Sequence, residues 1–189
     1  MKKLISPFRF VFLILAFIAG ACLAQDSTPV TNYLSGWRTA KWGMTPPQVL
    51  AALNGEAKAL SKLEELGDLV GLVEISDFKI DDEIFGVKMY FTKQVFGLKK
   101  IVLNLAANPK LPGQFYAKWE RNLTEKYGQP DASSNDLQPT LGSQAVVKKC
   151  SWKRGSTRIE FSMYSVPEHS LFGAGISYEQ IDEEVTKKL

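Results

Sequence analysis

Few side chains in this chain could perform chemistry. His169 is the only histidine among 189 residues, so one imidazole is available as a general base or nitrogen ligand. Multi-histidine metal centres and HExxH zinc helices need more. His169 stands in VPEHSLFG, beside Glu168 and Ser170. Neighbours in sequence point in different directions, whereas a hydrolytic triad depends on converging geometry, so His169 reads as a loop histidine. No GxSxG elbow accompanies it. Asp81, Asp82 and Glu83 could offer carboxylate oxygens to calcium, yet the DxDxDG spacing is missing and paired Asp residues are ordinary turn formers. FGAGIS lacks the glycine spacing of a phosphate-binding loop. The expectation is no catalytic constellation, no metal site and no cofactor.

The two cysteines have different fates. Lys2, Lys3 and Arg9 precede the apolar run Phe10 to Ile18, and small residues follow from Ala19 to Ala24. That order is the pattern of a secretory signal over residues 1–24, and the uncharged stretch is short of the roughly 20 residues of a membrane span. Cleavage after Ala24 would release a soluble protein. Alternatively Ala19, Gly20, Ala21 and Cys22 resemble a permissive lipobox, which would make Cys22 the lipidated first residue. Either route leaves Cys150 alone in the mature chain, so no intramolecular disulfide is available. In VVKKCSW, Cys150 reads as a buried, inert thiol. The signal also carries all the excess charge, because the chain from Gln25 onward has 20 basic and 20 acidic residues. The basic isoelectric point is therefore no sign of nucleic-acid binding.

These residues need elements to position them. Residues 25–36 read as a polar tether, and 37–189 as a single domain. Thr45 can cap a helix opened by Pro46, with Gln48 completing a capping box. AKALSKLEEL reads as a second helical stretch, closed by Gly67. Three strands follow in LVGLVEISDFKI, IFGVKMYF and LKKIVLNLA, the first two joined by a turn at Asp81 and Asp82. A helix through QFYAKWERNLTEKY comes next, with Phe115, Trp119 and Leu123 on one stripe. A polar loop from Asp131 to Ser143 leads to three more strands, in QAVVKKCSWK, STRIEFSMY and FGAGISYEQ. The order helix, strand, strand, strand thus occurs twice, over about 37–107 and 112–181, with VFGLKKIVL echoed by LFGAGISY. The predicted fold is α+β, an antiparallel sheet with helices on one face.

The segment GMTPPQV, Gly43 to Val49, resembles the opening helix of the BamE and SmpA type of small outer-membrane lipoproteins. The repeated helix-then-strands order is similar to the β-lactamase-inhibitor-protein-like fold. The resemblance implies a non-catalytic envelope protein that binds another protein, either an outer-membrane assembly component or an enzyme to be inhibited.

The expected function follows from both readings. It is an exported protein, periplasmic or secreted, and outer-membrane-attached if Cys22 is lipidated. Its expected partner is another envelope protein, with no nucleic acid, and with the membrane reached only through the signal or a lipid on Cys22. The alternative is a small apolar or cell-wall-derived ligand held in a groove between helices and sheet. Most aromatics fall on predicted core stripes; Phe96, Tyr164, His169 and Phe172 are the candidate interaction surface, because exposed aromatics on loops anchor interfaces. Tyr90 is likewise hard to place inside.

Overall fold

The computed structural model describes residues 34–181 apart from 110 and 141. The predicted export signal, Cys22, most of the predicted tether and the last eight residues lie outside the described residues. A two-stranded ribbon, β1 (Gly36–Trp37) and β2 (Ala40–Lys41), leads to helix α1 (Pro46–Ala52). Four strands follow: β3 (Lys58–Leu66), β4 (Leu69–Ile80), β5 (Glu83–Thr92) and β6 (Leu98–Leu105). Helix α2 (Pro112–Tyr127) then precedes β7 (Ala132–Thr140), β8 (Ser143–Arg154), β9 (Thr157–Val166) and β10 (Leu171–Gln180).

Local chemistry sets the element ends as expected at several points. Thr45 precedes α1, Pro46 opens it, and the Thr45 N–H donates to Gln48 Oε1 at 2.8 Å. Asp81 and Asp82 form the two-residue turn between β4 and β5, with Asp81 at φ 53. Asp tolerates that left-handed conformation better than most side chains. Gly128, at φ 81, ends α2.

The sheet has eight strands in the order β3-β4-β5-β6-β10-β9-β8-β7, every neighbouring pair antiparallel. Each half of the chain is therefore a helix followed by a four-stranded meander. The halves meet where β6 pairs β10, with Asn104 opposite Gly175 and Lys100 opposite Glu179. One core cluster takes Val49 and Leu53 from α1, Phe115, Trp119 and Leu123 from α2, and alternate residues of the strands such as Val87, Met89, Ile101, Phe161 and Ile176. All described residues belong to one compact unit.

This corrects the predicted fold class. The protein is mostly β, with 58% of the described residues in strands and 18% in helices, rather than an α+β fold with helices on one face. Two segments account for the difference. AKALSKLEEL, read as helix, is edge strand β3, and the polar stretch read as a loop contains the other edge strand, β7. Both edges are largely exposed and their sequences carry no period-2 alternation. Pairing to β4 and β8 outweighs the helix propensity of one and the turn propensity of the other.

Candidate functional site

The two edges are poorly suited to recruit another strand. β3 loses register with β4 between Ala59 and Glu64 and carries Lys58, Lys62, Glu64 and Glu65. β7 holds Asp136 and Pro139, and proline supplies no ladder donor. The sheet also has a face away from the core cluster, and its side chains fall into rows that run across the strands.

At one end of this open face the row is Tyr90, Lys100, Glu179, Arg158 and Lys153. Lys100 Nζ donates to Glu179 Oε2 at 3.2 Å, and beside it Glu64 accepts from both Lys88 Nζ and Tyr90 Oη, the latter at 3.0 Å. Tyr90 is buried, contrary to the sequence reading. Burial first, then the hydrogen bond to Glu64, pushes its phenol up to about 12. The Lys88 and Tyr90 hydrogen bonds hold Glu64 below the ordinary carboxylate range.

Two rows further along, the central strands carry Gly86, Asn104, Gly175 and Ser162, with Lys149 beyond Ser162 on β8. Side chains there are small or absent, and the sheet surface drops into an open depression of about 360 Å³ over β6, β10 and β9. Asn104, Ser162, Ser177 and Tyr164 line it together with Gly173 and Gly175, and no charged side chain does. The glycines have distinct reasons. A Cβ on Gly175 would meet the Leu103 carbonyl oxygen at 2.9 Å, and one on Gly173 would stand 2.1 Å from the Tyr164 ring. Tyr164 therefore lies across the backbone of Gly173 with half its surface in solvent. A half-exposed aromatic ring thus stands beside bare backbone and uncharged hydrogen-bonding groups.

The four predicted surface residues do not form one patch. Tyr164 and Phe172 border the depression, but Phe172 is half-buried and packs edge-on against Phe115 at 5.8 Å between ring centroids. His169 sits on a 3₁₀ turn (Pro167–His169) just before β10, and its Nε2 lies 3.0 Å from Ser143 Oγ. Both groups of that pair are exposed, whereas an activated serine needs an oriented imidazole in a site that excludes water. Phe96 is at the opposite end of the sheet, in the turn before β6, because β6 and β10 run antiparallel. The echo between VFGLKKIVL and LFGAGISY is real as topology, and it sends the two phenylalanines apart.

Asn104, Ser162, Ser177 and the two glycines were not singled out from the sequence. Their only signal is small or polar types at the outward positions of the strands in KKIVLNL, IEFSMY and FGAGIS. The acidic turn holds no metal cluster; Asp81 faces Lys118 at 3.7 Å, and no group of three His, Cys, Asp or Glu could hold an ion among the described residues. Cys150 is buried, with its Sγ 3.0 Å from Tyr116 Oη and 3.3 Å from Glu120 Oε1, and burial above all raises its pKa. No family model, curated protein or solved structure matches the chain.

Proposed function

We propose that the protein is an exported envelope module without catalysis, which docks a partner protein on the open face of its sheet. The carrying observation is the uncharged depression at the junction of the two halves, with half-exposed Tyr164 across Gly173 at its border. A half-exposed aromatic beside hydroxyl and amide groups, with paired charges at one end of the face, follows the plan of an anchor with a polar rim. The export signal and the likeness of Gly43–Val49 to outer-membrane lipoproteins support the same compartment.

The experiment compares retention of envelope proteins by the tagged mature chain, by Tyr164→Ala and Ser177→Arg, and by Leu137→Ser on the β7 edge. One near-stoichiometric protein should be held by wild type and the edge variant and lost by the other two. Equal retention by all four overturns the docking face. An activity abolished by His169→Ala would overturn the absence of catalysis.

A second reading has one observation in its favour: hydroxyls, an amide and an aromatic platform with no charge also suit a fragment of cell-wall glycan. Such a ligand would co-purify in place of a protein, and Tyr164→Ala would release it.

A further inference from the structure

The turn between β5 and β6 is built at a cost that its own geometry does not require. Phe96 N–H donates to the Thr92 carbonyl at 2.9 Å and Thr92 N–H to the Gly97 carbonyl at 3.0 Å, closing a loop over Lys93, Gln94, Val95 and Phe96. Phe96 occupies the left-handed region at φ 50. A bulky L-residue is strained there, where glycine or asparagine would be at ease. The strain is not repaid by burial, since Phe96 is 48% exposed and Val95 73%. Strained residues that packing does not explain tend to mark function.

The location of the turn indicates its occupant. The first described residue, Leu34, is clamped to the same end of the sheet. Its carbonyl accepts from Thr157 Oγ1 at 2.8 Å and from Ser156 Oγ at 3.3 Å, and the Trp42 indole N–H donates to Thr157 Oγ1 at 2.8 Å. Thr157 pairs Gln180 and Glu179 pairs Lys100, so the start of β9 lies level with the start of β6. One strand separates them, an offset of about 10 Å. Leu66, in the neighbouring turn, is also exposed, and Lys93 N–H reaches the Asp68 carbonyl there. The charges around this end are mixed: Lys93 pairs Glu65, with Asp68 beside them.

We infer that Val95 and Phe96 form a lipid-contacting tip through which the domain rests on a phospholipid bilayer. The choice of a bilayer rests on the envelope reading, in which the chain beyond Leu34 leads back to Cys22. Eleven residues lie between those two positions, so the tether reaches up to about 40 Å. A second, weak apolar contact at the tethered end supplies the orientation. Two consecutive apolar side chains on a hairpin tip suit the headgroup–acyl boundary better than a protein pocket. The mixed charges make the contact insensitive to salt and to anionic lipid.

The test uses the mature chain from Gln25, held by an N-terminal histidine tag on phosphatidylethanolamine–phosphatidylglycerol vesicles containing a nickel-chelating lipid. A polarity-sensitive fluorophore is placed on Val95→Cys, with Leu137→Cys as reference; Cys150 is buried and spared. The label at 95 should brighten and shift to the blue, and be quenched by spin-labelled lipid, while the label at 137 changes in neither respect. Adding Phe96→Asn should raise the thermal midpoint by relieving the turn and reduce the quenching at 95 several-fold, which separates loss of contact from misfolding. Identical behaviour of the two labels, or quenching unaltered by Phe96→Asn, overturns the inference. Partner retention through the open face should be the same in Phe96→Asn and wild type, so either proposal can fail alone.

Discussion

Register shifts interrupt each strand pair between β3 and β6, whereas the pairs between β7 and β10 run without one. The halves share an order of elements but are built differently. Bulges bend a strand and re-aim its side chains, and in the first half they accompany the ion pairs Lys58–Glu74 and Lys88–Glu64. Unbroken register in the second half keeps outward positions aligned across strands, so small residues add up to one depression. The helices differ as well. The seven-residue α1 buries Val49, whereas the 16-residue α2 buries Phe115, Tyr116, Trp119, Leu123 and Tyr127. A repeated topology has thus been built once with bulged strands and once with regular ones, both carrying outward charges at the end of Lys100 and Glu179, and the uncharged depression lies at their junction.

The largest expected effect tests whether these halves are one cooperative unit. Trp152 is buried on β8, donates its indole N–H to the Gly128 carbonyl at 2.8 Å and packs against Tyr127. Trp152→Ala should cost about 3–5 kcal/mol, because it leaves a large cavity and an unpaired carbonyl. Urea unfolding followed by tryptophan fluorescence and by far-ultraviolet dichroism should give coincident transitions, since β6 and β10 join the halves through a continuous ladder. Separated transitions in the variant would mean that the second half melts alone.

Glycines on the open face sharpen the comparison at a smaller scale. Gly86 and Gly175 flank Asn104 in one row, yet a Cβ on Gly86 meets nothing within 4 Å while one on Gly175 meets the Leu103 carbonyl. Gly175→Ala should therefore destabilise by about 1–3 kcal/mol through forced backbone movement. Gly86→Ala should fall within about 0.5 kcal/mol of wild type or stabilise slightly, because it only restricts the unfolded chain. Equal costs, read from urea midpoints, would show that the depression is not set by backbone approach at the junction.

Much of this architecture was legible in the sequence, and the rest was hidden for identifiable reasons. Central strands announce themselves because one face is buried: Val87, Met89 and Phe91, or Ile159, Phe161 and Met163, alternate in sequence, the outward Tyr90 being the exception that is buried as well. The α1 cap and the Asp81–Asp82 turn were visible because they depend on local chemistry. The edge strands were not, since β3 and β7 bury almost nothing and their conformation is dictated by neighbours distant in sequence. That omission made the chain look richer in helix than it is. Of the aromatics read as surface, Phe96 and Tyr164 are exposed, Phe172 is half-buried and Tyr90 is buried; that Phe96 and Phe172 lie apart was hidden because the antiparallel pairing of β6 with β10 is a long-range fact. The depression was invisible for the opposite reason: it consists of what glycine and serine leave out.

The smallest predicted effect concerns charge, and it belongs to the first half. Lys88 and Tyr90 lower the Glu64 pKa, so the associated stability is present above the unfolded carboxylate value of about 4.3 and is lost as pH falls through the folded one. Glu64 is partly exposed, so Glu64→Gln should cost only about 0.2–1 kcal/mol at neutral pH. The gap from wild type should close in acid, where the carboxyl is neutral in both. Tyr90 has the opposite sign. Its folded value of about 12 exceeds the unfolded one, so its contribution is complete below about pH 10 and disappears as the folded phenol ionises. Tyr90→Phe should flatten that alkaline loss, read from urea midpoints across pH. If Glu64→Gln and wild type stayed apart in acid, the trio of Glu64, Lys88 and Tyr90 would be held by shape and hydrogen bonding, and the charge at that end of the bulged half would carry no energetic weight.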